Sequence, residues 1–206
     1  MRLGIMLFAI VTALAVNDPC WARQADGFAG TPFGTNLAAL PSFLTLKKSG
    51  DVTYAVNLNE RYRLDGRAPV VFYGFAAGKL FAAYVRLDGL IDREAMAKRI
   101  TAEYGKPSLS AEGGVEVLRW RKGDVKVKLK YDPATRGLKL AYYSIANAGP
   151  AAALPEPDSV NMDELMRTYE KSKISKGISL PAQPAPKGYS PYDDGVTNPA
   201  GRYARP

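Results

Sequence analysis

Residues 125–131, Val-Lys-Val-Lys-Leu-Lys-Tyr, alternate apolar and polar side chains through the three lysines. Successive side chains on a strand point to opposite faces, so this period describes a β-strand with one apolar and one cationic face. Wound as a helix, the same residues would scatter the lysines around the circumference. A fold of this chain therefore contains a sheet with one face turned to water.

The neighbouring sequence supplies companions for that strand. Val115 to Arg121 and Leu138 to Ser144 read as further strands, Asp124 to Tyr131 being the one between them. Lys122-Gly123 or Gly123-Asp124 makes a two-residue turn, and the Asp132–Gly137 loop joins the third strand. For either turn the pairing parity puts Arg119 and Arg121 on the lysine face, with Leu118 and Trp120 on the apolar one. Val115 and Val117 fall on the cationic side in this register. Between residues 119 and 139 there are eight Lys or Arg against Asp124 and Asp132, which is six of the chain's net +8. Arg119, Arg121, Lys126, Lys128, Lys130 and Lys139 form the candidate site, a face for an anionic partner. A solvated antiparallel sheet with a lysine-guarded edge is the alternative reading of the same residues.

Further strands are expected at Val52 to Val56, Val70 to Phe75 and Lys79 to Leu87, with turns at Asp65-Gly66 and Ala76-Ala77-Gly78. Phe81, Ala83, Val85 and Leu87 share one face by alternation, assigned to the core. A helix follows. Asp92 is placed to cap it, Ile91 and Met96 have the spacing of a hydrophobic staple, and Ile91, Met96, Ile100 and Tyr104 make its apolar row. Gly105 and Pro107 stop it. The class is α+β: a mostly antiparallel sheet with one main helix packed on one face, over residues 28–146.

Residues 147–158 read as a Pro/Ala linker, and 159–177 as an amphipathic helix begun by a capping box of Asn161 and Glu164 and a staple of Val160 and Leu165. Its stripe of Met162, Leu165, Met166 and Tyr169 either docks on the chain's own domain or offers a partner-binding surface. Residues 181–206 are rich in Pro, Gly and Tyr and read as a disordered, extended tail.

Arg2 followed by the apolar run from Leu3 to Val16 has the layout of an export signal, shorter than the roughly 20 residues a membrane span needs. Cleavage is expected after Ala22, giving residues 1–22 as a signal peptide. Asn17-Asp18-Pro19 separates Cys20 from the apolar run, which disfavours lipidation; the expected location is periplasmic or secreted. The sequence has no histidine, and its single cysteine, Cys20, is expected to leave with the signal. Disulfides, thiolate and imidazole catalysis, and the common zinc and haem ligand sets are thereby excluded. No Ser-x-x-Lys occurs, and Gly74-Phe-Ala-Ala-Gly78-Lys79 is one residue short of a phosphate loop. No catalytic, cofactor-binding or metal residue is assigned, no cofactor is expected, and nucleic acid is not an expected partner.

Thr31-Pro-Phe-Gly34, Phe72-Tyr-Gly-Phe75, Gly78-Lys-Leu-Phe81 and Tyr104-Gly-Lys-Pro107, in that order, resemble a domain of exported Gram-negative proteins to which no activity or site residue is assigned. The resemblance covers about residues 28–146 and extends remotely to small envelope-assembly modules that act by binding. The export signal, the missing chemistry and the long appendage together give the leading expectation, a non-enzymatic exported module whose partner, another envelope protein or an anionic envelope component, is met through the basic face or the C-terminal helix and tail. Two alternatives stand beside it: a small-ligand or lipid-binding protein with a pocket lined by Phe72, Phe81 and Trp120, and a glycan hydrolase working through carboxylates.

Overall fold

The computed structural model describes residues 26–87, 89–149 and 160–176. The expected signal, the tail and most of the expected linker lie outside them. The chain opens with a small hairpin of β1 (Gly27–Phe28) and β2 (Thr31–Pro32). A Cβ at Gly27 would lie 2.3 Å from the Thr31 carbonyl oxygen, so only glycine fits there. A 3-10 turn at Leu37–Ala39 follows, with the Asn36 side chain accepting a hydrogen bond from the Ala38 N–H at 2.9 Å.

Eight strands then build one antiparallel sheet. They are β3 (Phe43–Ser49), β4 (Val52–Asn57), β5 (Val71–Ala76), β6 (Lys79–Arg86), β7 (Ser108–Glu112), β8 (Val115–Lys122), β9 (Val125–Asp132) and β10 (Gly137–Ser144). The order is β3-β4-β5-β6-β10-β9-β8-β7. Each half is a four-stranded meander, and the halves meet where β6 pairs with β10. Between them comes helix α1 (Arg93–Tyr104). Ala77-Gly78 and Gly113-Gly114 have left-handed backbones, the geometry of the tight turns that match strand twist.

One face of the sheet packs on α1 and the N-terminal hairpin. Met96, Ile100 and Tyr104 of α1 lie against Trp120, Val127, Leu129, Leu140 and Tyr142, with Phe28 completing the layer. The Trp120 indole N–H donates to the Thr101 hydroxyl at 3.2 Å, tying β8 to α1. Asp92 holds the helix N-cap position, but its side chain makes no capping bond; its carbonyl accepts from the Met96 N–H instead. Gly105 ends the helix in a left-handed conformation.

The opposite face carries a second core, on which the C-terminal helix docks, one of the two readings its apolar stripe allowed. The short helix α2 (Ile145–Ala148) takes the first residues of the expected linker, and α3 (Met162–Lys176) lies across the first meander. Met162, Leu165 and Tyr169 are buried with Val52, Val56, Phe72, Phe81 and Tyr84. Strands β5 and β6 are therefore covered on both faces. Phe81 also differs from the expected face. A register shift pairs Gly74 with Ala82 and Phe75 with Leu80, so Phe81 is the extra residue of a β-bulge. It turns toward α3, while Ala83, Val85 and Leu87 face α1. Among the described residues no helix is long and apolar enough to cross a membrane.

Candidate functional site

The alternating residues of β9 place Val125, Val127 and Leu129 in the core facing α1 and Lys126, Lys128 and Lys130 on the other side. Lys122 pairs with Val125, so Gly123-Asp124 is the turn, and Arg119 and Arg121 join the lysine face as the parity required. Leu118 and Trp120 face α1. The six sequence-predicted residues thus share one face.

The register sets these cations opposite one another. Arg121 stands across from Lys126, and Arg119 from Lys128. Lys130 stands across from Lys139, which stands across from Arg86 on β6. Arg86 was not among the expected site residues. Its position in the Lys79–Leu87 strand gave its parity, but only the β6–β10 pairing brings it into this row.

Acidic groups reach the face from its two ends. Glu112 at the end of β7 pairs with Arg119, which also donates to the Ser110 hydroxyl, and lies 3.7 Å from Lys128. The hydrogen bond from Arg119, with Lys128 nearby, holds the Glu112 carboxyl below its usual range. Asp163 in the first turn of α3 pairs with Arg86 at 3.1 Å and Lys139 at 3.6 Å, and Glu164 pairs with Lys47 at 2.5 Å. Lys128 is not solvated as a wet face would require: only 2% of its side chain is exposed. A charge at that depth needs partners, and Glu112 is one of them. Val117, directly across from Lys130, is buried too. The outer part of the face stays open: Arg121 is exposed, and the Lys126 ammonium sits 5.9 Å from the centre of the Tyr143 ring.

The α3 stripe is not a free surface. Met162, Leu165 and Tyr169 are buried on the chain's own sheet, Met166 packs beside them, and Asn161 caps the helix by accepting from the Glu164 N–H at 3.0 Å. A partner could use those four residues only by displacing the helix. Phe72 and Phe81 lie on one side of the sheet and Trp120 on the other, so the three do not line one pocket. A cleft of about 390 Å³ lies elsewhere, at the start of α1, between Ile91, Arg93, Tyr131, Arg136 and Leu138. A smaller one of about 130 Å³ lies where Glu60, Arg63, Pro69 and Val70 meet Tyr169. Beside it the Tyr73 hydroxyl donates to Glu60 at 2.6 Å; burial, then the Glu60 charge, pushes that phenol far above its usual range. Among the described residues no group of three or more Asp, Glu, Cys or His side chains is placed to hold a metal.

No protein-family model matches the chain, so the resemblance carried by its four short motifs has no matching family. No curated protein matches it significantly. One similar solved structure is that of an extracellular protein containing a SCP domain from Bacillus anthracis str. Ames, at 15% identity and a TM-score of 0.33, over 57% of this chain and 47% of that one. The match therefore spans about half the length of that protein.

Proposed function

We propose that this chain is an exported, non-enzymatic module that binds an anionic component of the cell envelope through the cationic face of β8, β9 and β10. The observation that carries this reading is the opposition of like charges in three successive rows: Arg121 and Lys126, Arg119 and Lys128, and Lys130, Lys139 and Arg86. Directly opposed side chains in an antiparallel pair have Cβ atoms about 4.5–5.5 Å apart, and like charges there destabilise the sheet. Solubility alone would be served by serine, threonine or mixed charges, which stabilise the same positions. Glu112 balances the Arg119 and Lys128 row and Asp163 the Lys139 and Arg86 pair, so the cations at the open end, Arg121 and Lys126, are the ones an external anion would meet.

The test is photocrosslinking in cells from residues 121 and 126 of the tagged, exported chain, with mass spectrometry of what is captured. Capture of an anionic envelope component, lost in the Arg121→Glu/Lys126→Glu variant while its circular dichroism is unchanged, is the expected result. Capture that survives the double reversal overturns the reading. A second reading, a small-ligand protein, is favoured by the cleft at the start of α1, whose volume falls in the range of ligand pockets. Native mass spectrometry of the gently purified chain would then show a bound mass lost in Tyr131→Ala.

A further inference from the structure

We infer that α3 is an internal competitor for the cationic face: Asp163 occupies an anion site formed by Arg86 and Lys139, and an external anion enters that site only by displacing it. The inference rests on the reading of the face as an anion-binding surface and adds how that surface is regulated.

The inner end of the face concentrates charge. Lys130, Lys139 and Arg86 stand directly across from one another on β9, β10 and β6, where like charges repel at close range. Asp163 answers two of them with separate oxygens. Its Oδ1 lies 3.1 Å from the Arg86 guanidinium and its Oδ2 3.6 Å from the Lys139 ammonium. An external carboxylate or phosphate would make the same contacts there. The site is built, and filled, within one chain.

Neither the start of the helix nor its docking calls for Asp163. Asn161 supplies the cap by accepting from the Glu164 N–H, and Met162, Leu165 and Tyr169 hold α3 on the sheet. The Asp163 side chain is 54% exposed, and ion pairs that open to water add little stability. What Asp163 does change is the field, by cancelling charge where the face is densest. The block is also steric. Val160 and Met162 border one small hollow with Lys128, Lys130 and Lys139, so the start of α3 stands beside the inner lysines.

The outer end is different. Lys126 lies four residues, about 13 Å, along β9 from Lys130, and among the described residues no acid pairs with it or with Arg121. The face thus has an open end and a closed end. A small anion uses the open end alone, whereas one that spans both replaces the Asp163 carboxylate with its own charge.

The experiment compares the full chain with Asp163→Asn and Glu170→Gln, which remove the same charge from α3. Glu170 pairs with Lys173 and lies about 10 Å along the helix from Asp163, beyond the roughly 8 Å over which charges act at physiological salt. Two properties are measured at that salt: acetylation of Lys139, resolved by mass spectrometry, and binding of inorganic tripolyphosphate and of phosphatidylglycerol vesicles. Asp163→Asn should speed Lys139 acetylation and tighten binding about two- to tenfold, the factor that two exposed ion pairs supply. Glu170→Gln should match wild type in both, and all three forms should share one circular dichroism spectrum. Tightening toward both probes identifies phosphate itself as the ligand chemistry, and tightening toward vesicles alone identifies a lipid surface. Lys139 acetylation no faster in Asp163→Asn than in Glu170→Gln, or an equal gain in binding for the two, overturns the inference while the anion reading stands. If no form binds either probe, the anion reading falls and this inference with it.

Discussion

Gly74 and Phe81 face each other across the bulge in the β5–β6 ladder. A Cβ at Gly74 would come within 3.0 Å of the Phe81 ring and 3.3 Å of the Tyr84 ring, closer than packed atoms sit without moving. Gly74→Ala should therefore destabilise the fold by about 1–3 kcal/mol through overpacking, seen as a lower denaturant midpoint at unchanged slope. The bulge was not legible in the sequence for a simple reason. Leu80 to Val85 is apolar throughout, so alternation marks no face, and only a break in pairing tells Phe81 from Ala83. The lysines of β9 are the opposite case, since each polar residue reports its own direction. Glu112 adds a pH dependence. Its folded carboxyl binds a proton less readily than an unfolded one at 4.5, because of the Arg119 hydrogen bond. The ionised form thus stabilises the fold above about pH 4.5, and that contribution disappears as the pH falls toward the lowered folded value. Thermal melts of wild type and Glu112→Gln should differ at pH 7, and the difference should shrink as the pH is lowered below 4.5.

At the scale of elements, α3 shows what a stripe can and cannot say. The cap at Asn161 and the spacing of Met162, Leu165 and Tyr169 declared the helix and its buried side, and the structure has both. Its landing place, against β3 and over β4, β5 and β6, depends on strand order, which no local pattern encodes. Leu165→Ala should cost about 2–5 kcal/mol as a buried large-to-small change, and Asn161→Ala about 1 kcal/mol as a lost cap, both read by chemical unfolding. Two strands of the eight-stranded sheet escaped the sequence reading, as did the small β1–β2 hairpin. β7 has a single large apolar residue and weak strand propensity, and its hairpin is recognisable only from the Gly113-Gly114 turn. In β3 the register shift before Lys47 breaks the alternation that would have announced it.

The whole molecule is organised about the seam between β6 and β10, with both faces of its first meander covered and, among the described residues, only the outer part of the cationic face of its last strands exposed. Backbone protection should follow that layering. In native-state hydrogen exchange, amides of β5, β6 and β10 should be the slowest and those of β7 the fastest of the sheet, and uniform protection would contradict the packing described here. That the strands are sequential and antiparallel was readable from turn and alternation; that the meanders join at their last strands was not, because Lys79–Arg86 and Gly137–Ser144 are far apart in sequence. Synthesis delivers the chain from its N-terminus, so β3 to β6 exist before β10 does. Until Gly137–Ser144 emerges, the strand destined for the centre of the sheet is an apolar edge, and the growing chain is most open to wrong pairing at the place where the finished molecule is most tightly closed.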